Sequence, residues 1–199
     1  MSNSSHPVDE HSTPLTDEEE RALKLSYITT KEQLNEQEQA GILAARMRLR
    51  RSRVSAAGIL SLPWLLRAHE QMFGEVWKWA GQIRTTERTV GVQPHQIRVQ
   101  LADLLADGLT WLEHTSYPPD EIAIRFHHRL VAIHPFVNGN GRHSRLVSDL
   151  LAERLGRPGF TWGGGDDLAL QGDTRATYVR DLKLADEGDY SGLLTFART

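Results

Sequence analysis

Twelve consecutive residues, His134-Pro-Phe-Val-Asn-Gly-Asn-Gly-Arg-His-Ser-Arg145, carry the side chains best suited to chemistry. Gly139, Asn140 and Gly141 stand between two predicted helices, at the start of the second. Glycines let the chain turn tightly and let a ligand approach the backbone. The first amides of a helix have no intrahelical acceptor and the dipole there favours negative charge, so such a turn is a natural phosphate cradle. Arg142 and Arg145 are three apart, on neighbouring sides of the same helix end, and two guanidinium forks beside an anion nest suit a di- or triphosphate. His134 ends the preceding helix and titrates near neutrality, which suits a general base acting on a hydroxyl. Asn138 offers an amide oxygen within reach of a magnesium ion. Each piece alone has a bland reading: a turn, a helix cap, a solvated face. The whole string in this order is far more specific.

The elements that must hold this loop follow from pattern and punctuation. The fold expected is mainly α with one short β-hairpin. A short helix falls within 15–28, behind the acidic run Asp17 to Glu20. The next covers 36–52, with Asn35 as cap and Ala40, Leu43, Ala44 and Met47 as an apolar stripe. A third runs from Leu62 to Phe73, between Ser61 and Gly74. Residues 75–82 are an aromatic turn, and 83–92, rich in threonine and β-branched residues, are expected to form the hairpin. A helix over 97–113 precedes Tyr117-Pro118-Pro119, and Asp120 caps a helix with Ile122, Phe126, Leu130 and Ile133 on one face, ending before Pro135. The helix from Gly141 to Leu155 is stopped by Gly156 and Pro158, Gly163 to Gly165 form a flexible loop, and a last helix spans 174–187. Residues 1–14 read as a disordered tail, 15–59 as a helical extension, and 60–199 as the catalytic domain.

The 199 residues suffice for a real core. A net charge of −3 gives no nucleic-acid or membrane signature, and no apolar run is long enough for a membrane span. There is no cysteine, which removes disulfides, thiolate metal sites and a cysteine nucleophile. The start has no signal-peptide character, so a cytoplasmic location is expected. The arginine-rich stretch 46–53 reads as a solvated helix face rather than a specific nucleic-acid patch. His127 and His128 read as packing or surface residues, since no metal-ligand spacing links them to His134 and His143. Trp64, Trp77, Trp79 and Trp111 read as core.

The string resembles the Fic-family signature, His-x-Phe-x-Asp/Glu-Gly-Asn-Gly-Arg-x-x-Arg, through His134, Phe136, Gly139, Asn140, Gly141, Arg142 and Arg145. The run from His69 to Thr85 is similar to the family's approach to its flap, and the resemblance extends over 60–196. Asn-Gly-Asn-Gly-Arg-His is similar to the bacterial subgroup labelled mobile mystery protein B. The resemblance implies a Fic-type helical bundle and protein AMPylation. His134 would deprotonate a target hydroxyl, which would attack the α-phosphate of ATP and release pyrophosphate. Phe136, Gly139, Asn140 and Gly141 would contribute to nucleotide binding, with Arg142 and Arg145 on the β- and γ-phosphates and Mg2+ bridging phosphate oxygens. The flap, with Thr85, Thr86, Thr89, Val90 and Gly91, would pair with an extended target segment.

Asn138 departs from the family pattern, since a carboxylate is usual there and an amide binds magnesium without charge. The family's inhibitory motif, Ser/Thr-x-x-x-Glu-Gly/Asn, has no intact copy. Thr16 to Glu20 is followed by Arg21, and Thr29 to Gln33 lacks the glutamate. A degenerate internal restraint over 15–36, felt at Arg145, and a separate antitoxin chain of a toxin–antitoxin pair both stay open. So do transfer of another nucleotide, removal of AMP, and a degenerate nucleotide-binding interaction module. Target protein and oligomeric state are not legible.

Overall fold

The computed structural model describes residues 15–164 and 172–199. The expected tail lies outside them, as does Gly165 of the glycine loop. The described residues form α1 (Asp17–Ala22), α2 (Lys31–Arg51), α3 (Ala56–Ile59), α4 (Leu62–Phe73), α5 (Ile97–Glu113), α6 (Pro119–Ile133), α7 (Asn140–Arg154), α8 (Asp173–Asp186) and α9 (Ser191–Arg198). No helix among them is long and apolar enough to cross a membrane. The mainly α expectation holds.

α7 is the central element. His143, Ser144, Leu146, Val147, Ser148, Asp149, Leu150, Leu151 and Ala152 are all buried, and α6 lies along it with Ile122, Phe126, Leu130 and Ile133 inward, as the spacing predicts. Fully burying each such Leu, Ile or Phe contributes about 1.5–3 kcal/mol. α4 closes another side with Trp64, Leu65, Met72 and Phe73. Ser61 begins α4 as expected, but its hydroxyl donates to the Gly58 carbonyl at 2.9 Å instead of capping the helix.

α2 starts earlier than expected, because Thr30, not Asn35, caps it by accepting from the Gln33 amide. Its buried face is Leu34, Glu38, Ala45 and Leu49. A Cβ at Gly41 would sit 2.8 Å from the Met72 carbonyl, so α4 approaches this face closely. The stripe Ala40, Leu43, Ala44 and Met47 points away from the core, with Leu43 60% and Met47 49% exposed. The helical period is right and its phase is wrong: the face that packs is the one on which Gly41 lets α4 approach closely.

The hairpin expected over 83–92 is absent, and no strand forms there. The backbones of the two arms do not bond to each other. Instead the Arg84 amide donates to the Pro135 carbonyl at 2.9 Å and the Val92 amide to the Ile133 carbonyl at 3.4 Å. The one strand-like pairing among the described residues joins Leu23 to Trp77 and ties α1 to the body. Asp120 lies inside α6 and Pro118 is its cap; the Asp120 carboxylate instead pairs with Arg157 and Arg198. The expected last helix, 174–187, is followed by α9, whose Leu193, Phe196 and Ala197 are buried. The arginines of 46–53 are partly used internally: Arg50 pairs with Glu153 at 2.7 Å and Arg46 with Asp149 at 3.6 Å.

Candidate active site

His134 is the C-cap of α6 and adopts a left-handed conformation, φ 54° and ψ 60°. Such a backbone is uncommon outside glycine and asparagine and must be held by its surroundings. Its amide donates to Leu130 at 3.2 Å, and its carbonyl accepts from Nε of Arg84 at 2.7 Å. The same guanidinium donates to the carbonyls of Thr86 at 2.8 Å and Val92 at 2.6 Å. Arg84 is buried, so one fork fastens both ends of the 85–91 loop to the backbone of His134. Gly91 completes the contact. It has φ +106°, and a Cβ there would lie 2.5 Å from that of His134.

The imidazole of His134 is partly buried. Burial holds its proton affinity below the usual range, the charges of Arg84 and Arg88 add to this, and the Val131 carbonyl acts in the opposite sense. Nδ1 is buried without a partner of normal hydrogen-bond geometry. The ring is therefore neutral at pH 7, and Nε2 is the nitrogen suited to take a proton.

The loop after His134 is built on Asn140 and Phe136. The Asn140 side chain accepts from the Phe136 amide and donates to the Phe136 carbonyl, both at 2.9 Å. Both residues are buried. Phe136 stacks on His69 with centroids 3.7 Å apart and meets His143 edge-on at 5.0 Å. Both side chains shape the loop from beneath, and the backbone of the loop, rather than these side chains, lies at its surface. His69 supports it further. The Gly81 amide donates to its Nδ1 at 2.9 Å, so Nε2 carries the hydrogen donated to the Asn138 carbonyl at 3.1 Å. Gly139 has φ +78°, and a Cβ there would strike the Phe73 ring at 2.5 Å. At Gly141 an added Cβ would meet only Arg145, at 3.5 Å. The amides of Asn140, Gly141 and Arg142 open α7 and by position have no intrahelical acceptor.

The two arginines have different surroundings. Arg142 donates to Glu38 Oε2 at 2.6 Å, and its guanidinium lies 4.9 Å from the Phe73 ring centre. Glu38, buried on α2, also accepts from Trp77 Nε1 at 2.6 Å. Arg145 acts on the Tyr178 phenol both as a charge and as a donor. No carboxylate among the described residues lies within ion-pair distance of it. Tyr178 in turn bonds to His127 Nε2 at 2.8 Å, which makes His127 a packed core residue, as expected. The carboxylate that reaches the signature arginines from the N-terminal segment is thus Glu38, and it reaches Arg142. Glu20 is exposed, and Gln33 is turned back onto Thr29 at 2.9 Å.

Residues 59–152 match the family model described as Fic/DOC family. The chain belongs to the Fic/DOC family through this segment. It is 35% identical over 135 residues to the protein adenylyltransferase fic-1 of Caenorhabditis elegans, covering 65% of this chain and 25% of that protein. It is also 35% identical over 136 residues to the protein adenylyltransferase Fic of Drosophila melanogaster, covering 66% and 26%. The chain thus spans about a quarter of the length of these relatives. Among solved structures, Fic-1 from C. elegans superposes with a TM-score of 0.64 at 31% identity, over 81% of this chain and 47% of that one. BepC from Bartonella tribocorum, solved with bound AMPPNP, superposes with a TM-score of 0.67 at 17% identity, over 95% and 92%, and shows the shared fold.

On this Fic domain the residues expected to form the flap, Thr85, Thr86, Thr89, Val90 and Gly91, are all exposed, carried as an open loop fixed at its base by Arg84. A hollow of about 210 Å³ opens beside Asn138 and Val137, walled by Trp77, Trp79, Arg88 and, from α1, Glu18 and Glu19. Glu18 reaches Arg88 at 3.5 Å across it. Asn138 Oδ1 accepts from the Gly139 amide at 2.7 Å. No cluster of three His, Asp or Glu suited to a metal exists among the described residues. One neutral oxygen already engaged by an amide does not make a protein-built magnesium site, so no catalytic step is assigned to a metal.

The sequence missed Arg84, Glu38 and His69. Arg84 and His69 lie within the stretch that resembles the family, but nothing local marks them as partners of His134 and Asn138.

Proposed function

We propose that this chain transfers AMP from ATP to a hydroxyl side chain of a target protein. One observation carries the reading: a neutral imidazole, pinned by its own carbonyl at the end of α6, immediately precedes the free amides and paired arginines that open α7. The identity to proteins named adenylyltransferases supports it.

In this reading Nε2 of His134 takes the proton of the target hydroxyl. The oxygen bonds to the α-phosphorus of ATP as the bond from that phosphorus to the bridging oxygen breaks, and pyrophosphate leaves. The amides of Asn140, Gly141 and Arg142, with Arg145 and Arg142, carry the phosphate charge, so catalysis is mainly positioning and charge stabilisation. The exposed loop 85–91 presents the target segment. Internal restraint, if the chain carries any, is assigned to α1 at the Asn138 hollow, rather than to Arg145 or a separate antitoxin. The hollow, about 210 Å³, is below the roughly 300 Å³ usual for ligand pockets, and α1 forms one of its walls. Placement in the mobile mystery protein B subgroup rests on Asn-Gly-Asn-Gly-Arg-His alone.

The test is incubation of the purified chain and a cell extract with magnesium and labelled ATP, CTP, GTP or UTP, followed by intact mass. AMP added to protein by the native chain, and lost in His134→Ala by on the order of 10²–10⁴-fold with nucleotide binding retained, supports the reading. A His134→Ala variant of full activity overturns it. Preference for another nucleotide would change the donor and keep the mechanism.

A further inference from the structure

The stripe Ala40, Leu43, Ala44 and Met47 is not used by the fold, although its periodicity marks it as a packing face. It extends at one end to Glu36 and at the other to Arg51. At 100° per residue all six fall within about one third of the helix circumference. Glu36 and Arg51 are exposed, and neither forms an ion pair among the described residues.

The order of residues along the stripe is complementary to its own reverse. Its midpoint falls between Leu43 and Ala44. Turned about a two-fold axis through that point, a second α2 sets Leu43 opposite Ala44, Met47 opposite Ala40, and Glu36 opposite Arg51. Every large apolar side chain then meets a small one, which lets two helices approach closely while filling the space between them. Both ends close with a pair of opposite charges. A parallel arrangement would set Glu36 against Glu36, Arg51 against Arg51, and alanine against alanine, with repulsion at the ends and voids at the centre.

We propose that α2 is a homodimer interface, in which two copies of this chain pair their α2 helices antiparallel through Ala40, Leu43, Ala44 and Met47, with Glu36 of each copy on Arg51 of the other. The surface is isologous, as a two-fold dimer requires. It is also preformed. α2 is capped by Thr30 at one end, and at the other Arg154 of α7 donates to the carbonyls of Leu49, Arg50, Ser52 and Val54. Pairing therefore orders side chains but needs no new backbone structure. The area offered by one helix face is at the low end for stable interfaces, roughly 1,200 Å² in total, so the dimer is weak and concentration-dependent. The inference does not rest on the transferase reading, since it invokes no residue of that site.

Sedimentation velocity on the full chain over a wide concentration range tests it. The weight-average mass is expected to climb from that of one chain toward that of two. Leu43→Glu, and separately Met47→Glu, should hold it at one chain at every concentration. Glu36→Arg and Arg51→Glu should each weaken association several-fold, and the two together should restore it, because each copy then again offers opposite charges. All four positions are exposed, and circular dichroism confirms that the variants fold. Three results would overturn the proposal: a native chain that is monomeric throughout, a dimer indifferent to Leu43→Glu, or a double charge reversal no better than either single one.

Discussion

Arg84 donates from Nε to the main-chain carbonyl of His134 at 2.7 Å, across 50 positions of sequence. The bond fixes the left-handed backbone from which the imidazole projects, and the remaining donors of the same fork fix the loop in front of it. The proposed base and the loop proposed to present the target therefore share one anchor.

Arg84→Lys retains the charge and loses the fork, whereas Arg84→Met loses both. Both variants are expected to lower kcat by on the order of 10-fold or more through misplacement. Only the methionine variant should move the acid limb of the pH–rate profile. Burial first, then Arg84 and Arg88, hold the His134 proton affinity down. In the proposed mechanism the base is neutral, so deleting one nearby positive charge raises its pKa and shifts the limb to higher pH. If the limb stays put in Arg84→Met, Arg84 acts on the loop alone.

Glu38 holds Arg142 and Trp77 together from the buried side of α2. Glu38→Ala leaves both without their acceptor and is expected to cost about 2–3 kcal/mol. Glu38→Gln keeps an acceptor for Trp77 and should cost less. Urea unfolding of the three proteins gives the order. Equal midpoints for alanine and native chains would remove Glu38 from the list of structural residues.

Asn138→Asp places a charged hard ligand where an amide oxygen now binds the Gly139 amide. Higher activity and a lower magnesium concentration at half-saturation are expected. Titration of activity against magnesium decides. An unchanged half-saturation point would show that the side chain stays on Gly139 and does not meet the ion.

Acid should destabilise the fold well before the carboxylates protonate. Burial pushes His127 down to about 3 and His143 to about 4, so both are neutral in the native state. Unfolded, each titrates near 6.5. Their contribution is complete above that value and is lost as pH falls toward 4 and 3. Asp149 works the other way. Burial holds it up at about 6, and its cost is relieved as pH falls below that. Two histidines outweigh one aspartate. Urea midpoints at pH 7.5, 6, 5 and 4.5 should decline steadily, and less steeply in His143→Gln. A midpoint that rises from pH 7.5 to 5 would contradict this.

The part of the site that was legible is the part confined to twelve residues. His134, the glycines and the two arginines are placed by one helix end, one loop and one helix start, all with local signals. Glu38 was hidden because α2 was read for its apolar stripe, and the side that packs carries Gly41, Ala45 and a glutamate instead. The hairpin failed for a related reason. Threonine and valine do favour extended backbone, but the amides of Arg84 and Val92 found acceptors in the His134 segment, and propensity yields to such partners. α9 is only eight residues long, and its bonds with Thr161, Trp162 and Gly163 are tertiary.

The hold of Arg154 on the end of α2 separates two boundaries that are easily equated. The match to the family model begins at residue 59, yet α7 spends its last turn binding carbonyls that lie before that point. A fragment trimmed to the matched segment would leave Arg154 with empty donors, and Glu153 and Asp149 without Arg50 and Arg46. The unit that is inherited and the unit that folds thus have different borders. Grafting the matched segment into a relative would require its α2 to travel with it.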